Sequence, residues 1–555
     1  MRGNVAQQYD VVIVGSGVSG LAAALAAAEL GLNPIILEKA EKFGGGTAAS
    51  HGGLWCGINH MELAAGYKDT REQVIAYMRF LGGGELDEQR MLTFVDRSPE
   101  ALKFFENCGV RFQLTKGFTD HYFDKGPGTT PEGRMFEVEL ISADDLGALK
   151  DSVLVWPQAP LEMTIEEKIK WGGPNDHASW DKSLMEERAR KSMRGRGVGL
   201  ITHFLKQLLK RGVPVRAGAP VDRLVVEGGR VAGIVTKAGE KIDARHGVVL
   251  ATGGYEANPQ MVETFEGLPG WLSMAPSSVS GDGMLMGLEI GAAAKTIHNN
   301  IALFLGFNAP SESGKSDEFS FRLSSIGEML CPHTIVVNKS GRRFEDESFF
   351  PSMAPALRQF VTATHSYANL PCFLIFDSQF AKRFSFAGRP VGASIPHWVA
   401  SGKTISGVAD KLGISADGLE ATATRFNTFA RKGVDEDFRR GEKKWSTGHP
   451  IGREGTINPA LGTIDEAPFY ALELHPSAFA SAGLVTNVHG QVMHQRNRPI
   501  PGLYAAGNAA AHTEYGVGYQ AGQSLTSGMT FAYLAVRHML EGVGQTARTK
   551  VFTTS

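Results

Sequence analysis

The residues of this chain best equipped for chemistry are, first, glycines. Gly15-Ser-Gly17-Val18-Ser19-Gly20 follows the apolar run Val11–Val14 and opens onto an alanine-rich segment. In this spacing the first glycine permits a tight turn, the second lets backbone approach a pyrophosphate, and the third allows close helix–strand packing. The N–H groups at the start of the helix then face a dianionic ligand, favoured by the helix dipole. A second strand, residues 33–37, ends in Glu38, spaced to bind ribose hydroxyls, with Lys39 next. After that acid comes Gly44-Gly45-Gly46-Thr47-Ala-Ala-Ser50-His51-Gly52-Gly53-Leu-Trp55. A second glycine-rich loop in that place is typical of FAD rather than NAD proteins: it wraps the pyrophosphate and reaches the flavin edge with its hydroxyls. The chain is expected to bind FAD.

The elements that must hold these residues are legible from periodicity. Val11–Val14 and 33–37 are buried parallel strands, and the alanine-rich run is the helix between them. Residues 70–108 show helical spacing, and residues 199–211 predict an amphipathic helix. Residues 213–216, 221–227 and 230–236 alternate as short strands, the last two joined by a Glu-Gly-Gly turn. Residues 247–251 form another buried strand opening onto glycines, and residues 501–508 a strand and glycine turn before a helix over 524–540. Between about 290 and 450 aromatics become dense (Phe304, Phe307, Phe319, Phe321, Phe344, Phe349, Phe350, Trp398), as in a cap over an apolar substrate. A helix over 416–432 and a polar loop, Gly433–Trp445, end that stretch. The predicted architecture is α/β: a Rossmann-like FAD-binding domain in two parts, 1–285 and 451–555, with an inserted α+β substrate cap, 286–450.

At 555 residues and 43% hydrophobic, the chain can bury the large core such a two-domain protein needs. Its net charge of −2 leaves no electrostatic footprint for nucleic acid. Four cysteines without C-x-x-C spacing argue against a disulfide scaffold or structural zinc and fit a reducing compartment. With the first strand beginning near residue 9 and no apolar run of bilayer length, the expectation is a cytoplasmic protein without stable membrane insertion or a metal site.

Together these pieces resemble the 3-ketosteroid dehydrogenase branch of the fumarate reductase and succinate dehydrogenase flavoprotein superfamily, over nearly the whole chain. The N-terminal fingerprint, Ala251-Thr252-Gly253-Gly254, Ser280-Gly-Asp282-Gly283 and the stretch from Gly502 through Gly507 to Asn508 look like its flavin-binding elements. The resemblance also implies cofactor contacts at Val221, Gly522, Ser524 and Leu525. Gly52-Gly53-Leu-Trp55, the aromatic loop Gly117–Gly128 followed by Arg134, and Asn458-Pro-Ala-Leu-Gly462 resemble the ketosteroid branch in particular. His51 falls five residues after the position at which some relatives attach FAD, which is Gly46 here, so non-covalent FAD is expected.

A flavin dehydrogenase acting beside a ketone must polarise the carbonyl, remove the adjacent proton and accept a hydride from the β-carbon. The resemblance places the polarising donors in Glu514-Tyr515-Gly-Val-Gly518-Tyr519-Gln-Ala-Gly522. Tyr519 stands where fumarate reductases carry a carboxylate-binding arginine, Phe479 where they carry a histidine, and Phe350 where they carry a further arginine; a phenol suits a neutral ketone instead. The Δ1-dehydrogenases' tyrosine falls on Gly518 and their glycine on Gly522, whereas Tyr519-x-x-Gly522 is spaced as in the Δ4-(5α) enzymes. The position of the new double bond stays open, and a packed aromatic is the alternative for Tyr519. Tyr122, in the aromatic loop, is the first candidate to assist proton removal, and Tyr515 a backup donor. Glu347 and Asp346 are either structural or part of a proton relay. The implied substrate is a small apolar ketone, a 3-ketosteroid or a smaller cyclic ketone, with an unidentified electron acceptor reoxidising the flavin; a fumarate- or enoate-reducing flavoenzyme is the rival.

Overall fold

The computed structural model describes residues 7–156, 160–174, 176–297, 303–310, 320–443 and 457–552. Phe319, Trp445 and the expected boundary at 450 lie outside them. Val11, Val12 and Ile13 are wholly buried, as befits a parallel strand covered on both faces. The strand Gln7–Val14 lies between Pro34–Leu37 and Lys241–Leu250, parallel to both, with Val12 opposite Ile35 and Val248. The sheet extends to Val215–Arg216 on one side and to Arg498–Ala505, then antiparallel Gln491–His494, on the other. A hairpin, Val221–Glu227 with Arg230–Thr236, pairs onto Lys241–Leu250; Gly228 and Gly229 turn it with φ of 57° and 77°, which their lack of a Cβ permits. Helix Val18–Glu29 covers the sheet. Its run of alanines, Ala22 to Ala27, is fully buried and lets helices Arg196–Lys210 and Gln523–Phe552 pack close.

The cap is a second, antiparallel sheet in the order Phe321–Leu323, Leu303–Asn308, Phe469–Ala478, Cys372–Asp377, Thr334–Asn338. Its side chains divide by the period of two. Phe373 and Ile375 meet helices Ile405–Leu412 and Ala416–Lys432, while Cys372, Leu374 and Phe376 join the aromatic core with Phe304 and Phe307. The sheet runs on past the expected end of the insertion: Phe469–Ala478, sequentially beyond 450, pairs with three cap strands, Leu303–Asn308, Cys372–Asp377 and Ala400–Gly402. Ten residues with three aligned neighbours form a strand that local pattern alone does not place. Chain entry and exit run side by side, Ala294–Thr296 pairing with Ala482–Leu484.

A small third sheet, Leu54–Trp55, Met135–Val138 and Phe112–Leu114, closes the side of the cofactor domain. The four cysteines are buried and none is disulfide-bonded. Among the described residues no helix is long and apolar enough to cross a membrane.

Candidate active site

One cavity of about 650 Å³ runs from the first glycine turn to the aromatic cap. Every cofactor-binding residue expected from the sequence lines it except Gly20, which lies behind the turn. A Cβ on Gly20 would come within 2.1 Å of the Gly15 carbonyl oxygen, and one on Gly15, at φ +104°, within 2.3 Å of the Ala251 oxygen. Gly17 is bare toward the cavity, its nearest neighbour to an added Cβ being Thr47 Oγ1 at 3.5 Å. The tight turn and the open approach are therefore separate glycines, as pyrophosphate binding requires.

Glu38 is held at the strand end by Ser16, whose N–H and Oγ donate to Oε2 at 3.0 and 2.6 Å, and by the Ala40 N–H, which donates to Oε1 at 2.9 Å. Thr47 Oγ1 accepts the Val18 N–H at 3.1 Å, fastening the second glycine loop to the first turn of the helix. Lys39 pairs with Asp282 at 2.8 Å across the mouth of the cradle. Thr252 Oγ1, on the cavity wall, is buried without a hydrogen-bond partner among the described groups. An orphaned hydroxyl in a cavity shared with the Glu38 carboxylate and a bare helix start fits a large polar ligand, and the residues present fit FAD. Gly15→Ala should therefore cost about 1–3 kcal/mol of backbone strain plus the clash with Ala251. The expected result is a colourless or flavin-poor protein with a lowered melting temperature, read as flavin absorbance per polypeptide.

At the far end the cavity becomes aromatic. Tyr519 lies among Phe304, Phe350 and Phe479, with ring centroids 5.7, 5.8 and 6.4 Å away. The three positions at which a dicarboxylate enzyme needs cations are thus brought together as aromatic rings. Burial pushes the Tyr519 phenol above its usual value, keeping it a neutral donor. Gly522, at φ +89°, sits so tightly on the strand Leu54–Trp55 that an added Cβ would fall 2.6 Å from the Leu54 carbonyl carbon. The helix Gln523–Phe552 begins immediately after it, and its first turn lines the cavity through Ser524 and Leu525.

The other two tyrosines singled out in the sequence are not among the residues that line the cavity. Tyr122 packs edge-on against Phe80 and Phe349, at 5.3 and 5.2 Å, and Tyr515 stacks on His512 at 5.0 Å. Burial raises the pKa of both. The reason lies in the anchoring of the aromatic loop. Asp120 receives the Trp55 indole N–H at 2.8 Å, Arg134 Nη1 at 2.9 Å and the Thr130 N–H at 2.9 Å. Past that anchor, successive side chains diverge, and His121 rather than Tyr122 faces the cavity.

Sequence reasoning passed over His121, and also Arg322, Glu328 and Glu256. Burial pushes Glu256 and Glu328 up to about 7. Glu256 Oε1 accepts the Ala480 N–H at 3.1 Å, tying the cap exit to the glycines after Ala251. Asp346 and Glu347 are structural. Glu347 takes Arg440 at 2.7 Å and Arg343 at 3.0 Å, while Asp346 takes Lys443 at 2.8 Å. These pairs close the segment 433–443 onto the cap.

Residues 10–525 match the FAD binding domain family. The chain is 33% identical to a 4-oxocyclohexanecarboxylate 2-dehydrogenase of Sinomonas cyclohexanicum, over 95% of this chain and 92% of that protein. It is 34% identical to a 3-oxosteroid 1-dehydrogenase of Mycolicibacterium smegmatis, over 95% and 96% respectively. Its fold is similar to the crystal structure of a 3-ketosteroid Δ1-dehydrogenase from Sterolibacterium denitrificans in complex with 1,4-androstadiene-3,17-dione: TM-score 0.87, 28% identity, 97% of this chain and 100% of that one. The chain belongs to the FAD-binding domain family, with the 3-ketosteroid dehydrogenases of the fumarate reductase and succinate dehydrogenase superfamily.

Proposed function

We propose that the protein is an FAD-dependent dehydrogenase that introduces a carbon–carbon double bond conjugated to the carbonyl of a cyclic ketone, with 3-ketosteroids as the first substrate class. The observation that carries this reading is one continuous wall. It leads from the dinucleotide cradle to Gly522 and Tyr519 and ends in Phe304, Phe350 and Phe479. The Tyr519 hydroxyl and the Gly522 N–H polarise the ketone and hold the charge that develops on its oxygen, helped by the helix start behind them. The aromatic rings exclude water and accept the apolar ring system. Bound FAD would supply the acceptor for the hydride that leaves the β-carbon.

Arg322 favours a second reading within the same chemistry. Its side chain lines the cap end of the cavity beside Gly388, whose added Cβ would meet Nη1 at 3.0 Å, and close to Glu328. A guanidinium on the cavity wall suits a compact ring bearing an acidic substituent, as in the substrate named for the Sinomonas relative. Incubating the yellow protein anaerobically with ketosteroids, cyclohexanone and 4-oxocyclohexanecarboxylate separates the two readings. Bleaching by steroids supports the first, and bleaching by the keto acid alone the second. If no ketone bleaches the flavin or reduces a dye acceptor, both are overturned.

A further inference from the structure

The reaction proposed above needs a base, and the tyrosines of this site are poor ones. Burial pushes the Tyr519 and Tyr122 phenols upward, so that both stay protonated across neutral pH. Tyr122 is moreover turned toward Phe80 and Phe349. On the cavity wall at this place stands an imidazole. His121 is 1% exposed, and its ring centroid lies 5.5 Å from that of Tyr519 and 5.9 Å from that of Phe350.

Its position is fixed from two directions. Asp120, the residue before it, is clamped by Trp55, Arg134 and Thr130. The His121 backbone N–H donates to Gln520 Oε1 at 2.9 Å, and the same oxygen accepts the Tyr77 hydroxyl at 2.6 Å. Gln520 is the neighbour of Tyr519 in the chain. One side chain therefore ties the ketone-polarising segment to the backbone of His121, holding the residue that carries the imidazole beside the one that precedes Gln520.

We propose that His121 is the base that removes the proton α to the ketone, an inference that rests on the dehydrogenase reading. The α C–H bond breaks, and its electron pair forms the enolate double bond as the carbonyl π electrons move onto oxygen. The Tyr519 hydroxyl and Gly522 N–H hold that oxygen. The proton ends on His121 as imidazolium and passes to water when product leaves. Loss of the β-hydride, which completes the enone, is as in the reaction proposed above. A neutral imidazole is a competent general base, and burial favours that neutral form. The titratable groups around it are Tyr519 on the C-terminal segment, Tyr77 across Gln520, its neighbours Asp120 and Tyr122, and Lys168 on the helix Ile165–Lys170 of the same cavity. Asp120 is engaged by Arg134, and burial, then Arg196, pushes Lys168 down to about 7.

The test uses the flavin-loaded enzyme with whichever ketone it oxidises and a dye acceptor. Because the base must be neutral to act, wild-type kcat/KM should fall along a single acid limb as the imidazole is protonated. His121→Gln should lower kcat about 100-fold, abolish that limb, and keep flavin content and ketone KM close to wild type. Imidazole added to His121→Ala should restore part of the rate. A His121→Gln enzyme with wild-type kcat, or one that keeps the limb, overturns the assignment while the dehydrogenase reading stands. If His121→Gln fails to retain flavin, His121→Asn and the imidazole rescue of His121→Ala decide: a flavin-loaded His121→Asn enzyme with wild-type kcat, or no rescue of a flavin-loaded His121→Ala, overturns the assignment. If the wild type oxidises no cyclic ketone, the dehydrogenase reading fails and the base falls with it.

Discussion

Tyr519→Phe should lower kcat on a cyclic ketone by about 100- to 1000-fold, the usual cost of removing one donor from an oxyanion site. The substitution removes only a hydroxyl. The ring keeps its edge contact with Phe304 at 5.7 Å and its stack with Phe479 at 6.4 Å, so packing and the cofactor cradle are preserved. Flavin content and melting temperature should accordingly match wild type. Because burial holds the phenol protonated throughout the working range, the loss should also be constant with pH, unlike that of a base. Steady-state turnover with a dye acceptor measures both. Unchanged turnover on a ketone that the wild type oxidises would remove Tyr519 from the mechanism and return it to the role of a packed aromatic.

The second large effect concerns stability. Glu514, fully buried, precedes the segment that presents Tyr519. Burial pushes its carboxyl up, but the Arg90 guanidinium at 3.0 Å, His512 at 3.2 Å and the Ser527 hydroxyl outweigh that and hold it at about 2. Its folded pKa thus lies below the value near 4.3 of an unfolded glutamate. A depressed carboxylate contributes stability that is fully present above the unfolded pKa and lost as pH falls through the folded one, here between about pH 4.5 and 2. The contribution is on the order of 3 kcal/mol. Glu514→Gln leaves Arg90, only 2% exposed and seated over the Phe531 ring at 3.7 Å, buried without its counter-charge. The expected destabilisation at pH 7 is about 3–5 kcal/mol. Denaturant titrations at pH 7 and pH 3 check both parts: the variant should differ strongly from wild type at pH 7 and less at pH 3. A variant of wild-type stability would show that the Arg90–Glu514 pair contributes nothing net.

What was legible in the sequence follows the range of the forces involved. The turn at Gly15–Gly20 and the acid at Glu38 are local chemistry, readable because φ, close approach and spacing are decided within a few residues. The helix Ala416–Lys432 was equally plain, closed by Gly433 at φ +76°. The strand Phe469–Ala478 was not, because its partners lie far earlier in the chain and its pattern acquires meaning only beside them. In the aromatic loop the sequence identified the right stretch and the wrong neighbour for the cavity wall. Whether residue 121 or 122 faces inward depends on where Trp55 and Arg134 pin Asp120, and neither contact leaves a local signature. The ion pairs of Glu347 and Asp346 are of the same kind, since their partners Arg440 and Lys443 arrive from the far side of the cap.

The pairing of Val248 with Leu503 has a consequence for how the molecule comes into being. The entire cap lies between those two residues in sequence, so the central sheet is missing its Arg498–Ala505 strand until the cap segments have been synthesised. The cradle begun at Gly15–Gly20 is completed by Gly507, Asn508 and Gly522, all of which follow the cap. Loop-closure entropy grows only slowly with length, and a cap that has already collapsed shortens the loop to the paired segments Ala294–Thr296 and Ala482–Leu484. Synthesis order thus puts the residues of the cap ahead of those that close the nucleotide cradle.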